Sequence, residues 1–394
     1  MTNIHSAAVF VVDTSDFKLA ISSKPFVFIV GLERKEYHIH PHLITRLSPA
    51  LDVLINGKMR EAQEGRIEWP DLDIESFVRL AKFAYYANYD EPDPVLSEAT
   101  PASPTTPKVT AATESLLWVM RAWNSSRKNT FNGKDDSDAS DGTMDSSGTD
   151  SDSDDGTDDD TPPRINKILF SRPSKDTYAL EHSREWEELR GPSITTWMAF
   201  YDVWLEHGSP VRCCAPSRHF QTHVHSRGHI YQECAVPVRM QSSWQRTYEL
   251  MKDFSRCPSD NYYSKEQAEI WSSATKGQSN RNPDMSFLPV FLTHVRLYIL
   301  ADKYDVQELR RISLFRLRLL LRGVILFRKR ILDLVTVVDE IFANTLEGDE
   351  AREVIVKYFA CYIEVMRDAP EVAELLHDGG DFAVALVEHM TQRL

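Results

Sequence analysis

The chain has 394 residues, a formal net charge of −14 and an apolar fraction of 42%, enough for a sizeable core and for two or three domains. Twelve aspartates and no Lys or Arg fall between Asp135 and Asp160, and without them the net charge is about −2, so the acidity belongs to one tract and the remainder offers no basic footprint for nucleic acid. Five cysteines in this length argue against a disulfide framework and for reduced thiols. The apolar run Ala7 to Val12 is too short for a signal peptide, and Leu314 to Phe327 is broken by three arginines, so the expectation is a soluble protein of the cytoplasm, the nucleus or both.

In chain order, residues 1–23 read as an extension. Pro25 to Val30 is a β-rich run ending at Gly31, and Glu36 to Ile39 is a second strand. Leu43, Ile44 and Leu47 have helical spacing, and Ser48-Pro49 opens a short helix carrying Leu51, Leu54 and Ile55. Gly65 to Trp69 reads as a strand and Pro70-Asp71 as a turn. Asp73 is the predicted cap of a helix with Phe77, Leu80, Ala81, Ala84 and Tyr85 on one face. Residues 91–110 have a linker composition of Pro, Thr, Ser and Ala. The tract at about 132–162 has too few apolar groups to offset its chain entropy and is expected to be disordered. Residues 164–286 hold five of the eight tryptophans but no clear period.

Order returns at Phe287. Val290, Phe291, His294, Val295, Tyr298 and Ala301 form a helical stripe, and Leu309, Ile312, Phe315 and Leu319 mark the next helix after a break at 305–307. Ile331 to Ala343 is a third helix. Val354 to Val365 is the cleanest amphipathic pattern, and a last helix follows the turn Asp378-Gly379-Gly380. No repeat of 20–50 residues is present.

This order resembles the BTB/POZ domain, in the form found in fungal proteins. The resemblance rests on "FVFIVGLERKEYHIHPHLITRLSPAL", with His40 before a helix and Ser48 after it. It rests also on "RIEWPDLDIESFVRLAKFAYYANY" and on "FLTHVRLYILADKYDVQELRRISLFRL" with Ala301-Asp302-Lys303-Tyr304. It implies an α+β fold, a small mixed sheet flanked by a helical bundle. The first part is 24–92 and the second 287–330, separated by a long, partly disordered insertion at 93–286 and followed by a helical extension at 331–394. A long excursion is tolerable because loop closure costs only about (3/2)RT ln n, provided that Tyr89 and Phe287 are near neighbours. The implied function is non-enzymatic: an adaptor or scaffold that self-associates and recruits clients to a cullin-type ubiquitin ligase, or alternatively a transcriptional or chromatin cofactor. Met59-Arg60-Glu61 resembles the cullin-contacting tripeptide of such adaptors, with Met59 as apolar anchor and Glu61 as polar partner; an ordinary loop is the alternative. Membrane and nucleic acid are not expected partners.

Other candidate sites come from residue chemistry. Cys213, Cys214, His219, His223, His225, His229 and Cys234 offer the thiolates and imidazoles that zinc prefers, but their spacing matches no finger or ribbon, and a polar loop is the alternative. No cofactor is otherwise implied, and no GxSxG, HExxH or phosphate-loop pattern occurs. Ser147 and Ser151 each precede an aspartate by three residues, as in acidophilic-kinase sites, where phosphate would add roughly −1.5 to −2 charges. His40 reads as a packing or helix-entry residue. The basic run Arg310, Arg311, Arg316, Arg318, Arg322, Arg328, Lys329 and Arg330 reads foremost as a solvated helix face, ahead of a phosphate-binding patch or a resting place for the aspartate tract.

Overall fold

The computed structural model describes residues 14–97, 189–191, 193–195, 198, 238–256, 263–272, 275, 277–367 and 369–391. It is an α+β structure, mostly helical, with a small mixed sheet. Strands β1 (Phe26–Val30), β2 (Lys35–Ile39) and β3 (Arg66–Trp69) lie in the order β2-β1-β3. β1 is antiparallel to β2 and parallel to β3, with Phe28 opposite Tyr37 on one side and Ile67 on the other. As the central strand, β1 is apolar at every position, and four of its five residues are buried. The tight turn after it uses Gly31 at φ 73, where a Cβ would also press on the Ile74 side chain at 3.1 Å. That backbone region suits glycine alone without strain.

Helix α1 (Thr14–Ser22) precedes the sheet and packs on α2 (Pro41–Thr45). This helix lies within the N-terminal extension 1–23, where Phe17, Ala20 and Ile21 have helical spacing. Next come α3 (Pro49–Asn56), α4 (Arg60–Glu64) and α5 (Ile74–Tyr86). Asp73 caps α5 as expected, its Oδ2 accepting from Ser76 N at 2.9 Å. Ser48 caps α3, as expected of Ser48-Pro49: its Oγ accepts from Leu51 N at 3.1 Å and donates to Tyr304 O at 2.6 Å. One hydroxyl thus ties residues 256 apart in sequence.

The chain leaves through β4 (Val95–Leu96), which pairs antiparallel with β6 (Met285–Ser286); Ser97 N donates to Asp284 O at 2.8 Å. A second ladder joins β5 (Leu189–Gly191) to β7 (Leu326–Phe327). The excursion is therefore closed at its base, as the loop-closure argument requires, and Tyr89 Oη lies 2.9 Å from His294 Nδ1.

Between the ladders lie α6 (Val238–Ser255) and α7 (Lys265–Trp271), and after them α8 (Leu288–Lys303), α9 (Gln307–Gly323), α10 (Arg328–Asn344), α11 (Glu350–Met366), α12 (Pro370–His377) and α13 (Gly380–Thr391). The α8–α9 hairpin turns at Asp305 (φ 54), with Val306 N bonded to Ala301 O at 2.8 Å. It serves two cores. Leu297, Leu300, Ala301, Val306, Leu309 and Ile312 complete a first core with Phe28, Leu43, Leu51, Trp69, Phe77 and Phe83. Tyr304 stacks on Trp69 with ring centroids 4.7 Å apart.

The other sides of α8 and α9 (Phe291, Val295, Tyr298, Leu317, Leu321) meet α10, α11 and α13 in a second core. Two expectations change here. Residues 331–391 are not an appendage but most of that second core. α11 is not amphipathic in its setting: Val354, Ile355, Tyr358, Phe359, Cys361, Tyr362, Ile363 and Met366 are all buried. The reason is α6, which the sequence reading did not find. Its Tyr248, Met251 and Phe254 join the second core, and α6 packs on α11. Part of the insertion is thus structural. No helix among the described residues is long and apolar enough to cross a membrane.

Candidate interaction surface

Exposed apolar side chains around the first core include those of α1 and Met59, beside Leu32, Val53 and Tyr86. On α1, Ala20 is buried in the core while Phe17, Leu19 and Ile21 are 49, 56 and 56% exposed. Phe17 and Ile21 are four residues apart and so share a face. Met59 is the N-cap of α4 and 56% exposed. Glu61, in the first turn of α4, is half-buried. The tripeptide Met59-Arg60-Glu61 therefore opens a short helix rather than a loop, and Gly65 ends that helix in the left-handed region at φ 66.

β3 is an edge strand, and its outward Arg66 and Glu68 are engaged in exposed ion pairs. Glu68 is bonded by Arg34 at 2.7 Å, and Glu64 by Arg60 at 2.7 Å and by Arg66 at 3.1 Å. Paired charges along an edge discourage a second sheet from adding there. His40 has the structural place the sequence suggested. It is the N-cap of α2, and its Nδ1 lies 2.7 Å from Tyr85 Oη on α5.

A buried polar junction, which the sequence did not reveal, joins the end of the first stretch to α8 and α9. Arg316 on α9 donates to Glu91 Oε1 from Nε at 2.9 Å and from Nη2 at 2.7 Å. Its Nη1 donates to Tyr89 O at 2.8 Å and to Asn88 Oδ1 at 3.1 Å, and the guanidinium covers the Tyr89 ring at 4.1 Å. His294 Nε2 lies 3.3 Å from Glu91 Oε1. Burial alone would raise the Glu91 carboxyl, but His294 and Arg316 outweigh it and hold it below its ordinary value. Burial pushes the His294 imidazole down against the pull of Glu91. His294 is then neutral at pH 7, and the lasting positive charge beside Glu91 is Arg316. The partners come from 88–91, 294 and 316, so no local spacing could have signalled them.

The basic run is corrected by the same geometry. Arg316 and Arg330 are buried, not solvated. Arg330 donates to Met285 O, Asn280 O, Ile325 O, Ser279 O and Asn282 O at 3.2, 3.0, 2.6, 3.0 and 3.0 Å. Burial lowers its guanidinium to about 9, still protonated at pH 7. Arg328 pairs with Glu371, Lys329 with Asp284, Arg311 with Glu308, and Arg310 with Asp302. These six side chains close contacts within the fold instead of forming a solvated face. Cys213, Cys214, His219, His223, His225, His229, Cys234, Ser147 and Ser151 lie outside the described residues, as does the aspartate tract. Among the described residues no group of three or more His, Cys, Asp or Glu is placed to hold a metal ion.

Comparison with known proteins found no matching family model, no matching curated protein and no matching solved structure.

Proposed function

We infer that this chain is a protein-interaction module of the BTB/POZ type, which self-associates and acts as an adaptor or scaffold. The observation that carries this reading is the exposed apolar face of α1, set on a core that joins β1-β2-α2-α3-β3-α5 to the α8–α9 hairpin. That element order is the one the sequence resemblance implies. An apolar helix face held by a rigid core fits a second copy of the same face in an isologous contact. The narrower reading, recruitment of a cullin-type ligase, is supported by the exposure of Met59 beside Glu61 at the start of α4.

One light-scattering experiment tests both. The full chain at tens of micromolar should have twice the monomer mass. Phe17→Asp with Ile21→Asp should weaken the dimer by about thirtyfold or more, because each truncated interface anchor costs about 2 kcal/mol. A wild-type chain that is monomeric throughout would remove self-association. Adding a cullin N-terminal domain should raise the mass for wild type and not for Met59→Ala with Glu61→Ala. No rise with wild type would leave a cullin-independent scaffold.

A further inference from the structure

The residues by which the chain leaves and re-enters its body are held by two buried arginines on consecutive helices. On the leaving side, Arg316 of α9 grips the Glu91 carboxylate, the Asn88 amide oxygen and the Tyr89 carbonyl. On the returning side, Arg330 of α10 grips carbonyls at 279, 280, 282 and 285, and the Asn280 Oδ1 at 2.9 Å. Its guanidinium lies between the Phe287 and Phe327 rings, with 4.5 and 4.8 Å to their centroids.

Arg330 also takes Ile325 O, immediately before β7. It therefore holds both β6 and β7, the strands to which β4 and β5 are paired. Asp333, one turn further along α10, adds to the returning side by accepting from Ser286 Oγ at 2.9 Å and Phe287 N at 2.8 Å. Asn280 completes the arrangement. Its Nδ2 donates to Gly323 O at 2.9 Å and its Oδ1 accepts from Ile325 N at 3.0 Å.

We propose that Arg316 and Arg330 form a double clamp that ties residues 88–91 and the strands β6 and β7 to the α9–α10 corner, so that the β4–β6 and β5–β7 ladders open separately from the sheet-bearing core. A guanidinium suits this task because its five donors sit in one rigid plane and can cross-link several carbonyls at once. An ammonium at the same place is a single point that cannot span them. This inference stands whether or not the chain self-associates.

Hydrogen exchange of the full chain tests it through three amides: Ser97, bonded across the β4–β6 ladder; Ile325, bonded to Asn280; and Gly31, bonded to Trp69 O in the first core. Arg330→Lys should speed exchange at Ser97 and Ile325 by about tenfold or more, and Arg316→Lys at Ser97, with Gly31 changed far less in both, as expected for local opening. Unchanged Ser97 exchange in both variants would overturn the clamp. So would equal acceleration at Gly31, which would make the arginines general supports of the whole fold. Should a lysine variant fail to fold, Glu91→Gln keeps the side chain's shape and an acceptor. It should speed Ser97 severalfold while Gly31 holds, and no change there would count equally against the proposal.

Discussion

Replacing Arg316 with Met should destabilise the chain by about 3–5 kcal/mol, the cost of leaving a buried charge without its partner. Arg316 and Glu91 are both largely covered, with side-chain exposures of 5% and 11%. Removing the guanidinium strands the Glu91 carboxylate beside an imidazole that burial keeps neutral. It also strands the Tyr89 carbonyl and uncovers the Tyr89 ring. Changing both charges together, Arg316→Met with Glu91→Gln, should recover much of the loss, because the penalty is for the unpaired charge and not for the absent attraction. Chemical denaturation of the two variants measures this. A double variant as unstable as the single one would show that packing of the arginine stem, and not charge pairing, holds the junction.

Phe254→Ala should cost about 3–5 kcal/mol, as for other buried aromatic residues cut to alanine. The residue lies in α6, within a part of the chain that the sequence alone would call an insertion. Yet its side chain is fully buried, its ring centroid is 5.8 Å from that of Tyr358, and Lys357 pairs with the neighbouring Asp253 at 3.1 Å. At roughly 2–4 °C per kcal/mol for a folded body of this size, the change should be plain in a thermal melt. An excision experiment makes the complementary point. Replacing 98–188 by a flexible linker of about 20 residues should shift stability by only about 1 kcal/mol, since each halving of loop length changes closure by roughly 0.6 kcal/mol. Removing α6 as well should expose the face of α11 that it covers and unfold the second core. An unchanged melt for Phe254→Ala would place α6 outside that core.

The sheet and its helices were legible in the sequence because their signals are local. The β1 run ends at a glycine that the turn requires, Asp73 caps α5, and the stripes of α8 and α10 recur at helical spacing. Helix α1 was legible but overlooked, since its nine residues follow a more conspicuous apolar run. Helix α6 was hidden for a different reason. Among its described side chains, Tyr248, Met251 and Phe254 are buried in the core and Leu250 packs against it, too few to lift a period above the polar and charged residues of the helix. α12 escaped because eight residues with one fully buried side chain, Val372, carry little pattern. The site divided the same way. Met59 and Glu61 could be picked out as a tripeptide, and of the two Met59 is exposed. The Arg316–Glu91–His294 junction could not, because partners more than 200 residues apart leave no mark on spacing. The basic run misled for that reason: a row of arginines looks the same whether its partners are water or distant carbonyls.

The most direct test of a single body made from two separated stretches of chain is a cut between them. A site for a specific protease placed within 98–188, followed by complete cleavage and gel filtration without denaturant, decides it. The Ser48–Tyr304 bond, the Trp69–Tyr304 stack and the Arg316–Glu91 pair all cross the cut, and the first core draws on both sides of it. The two fragments should therefore elute together at the volume of the intact protein and part only in denaturant. Fragments that separate in native buffer, each still folded, would contradict the split body and with it the interaction module proposed on that core.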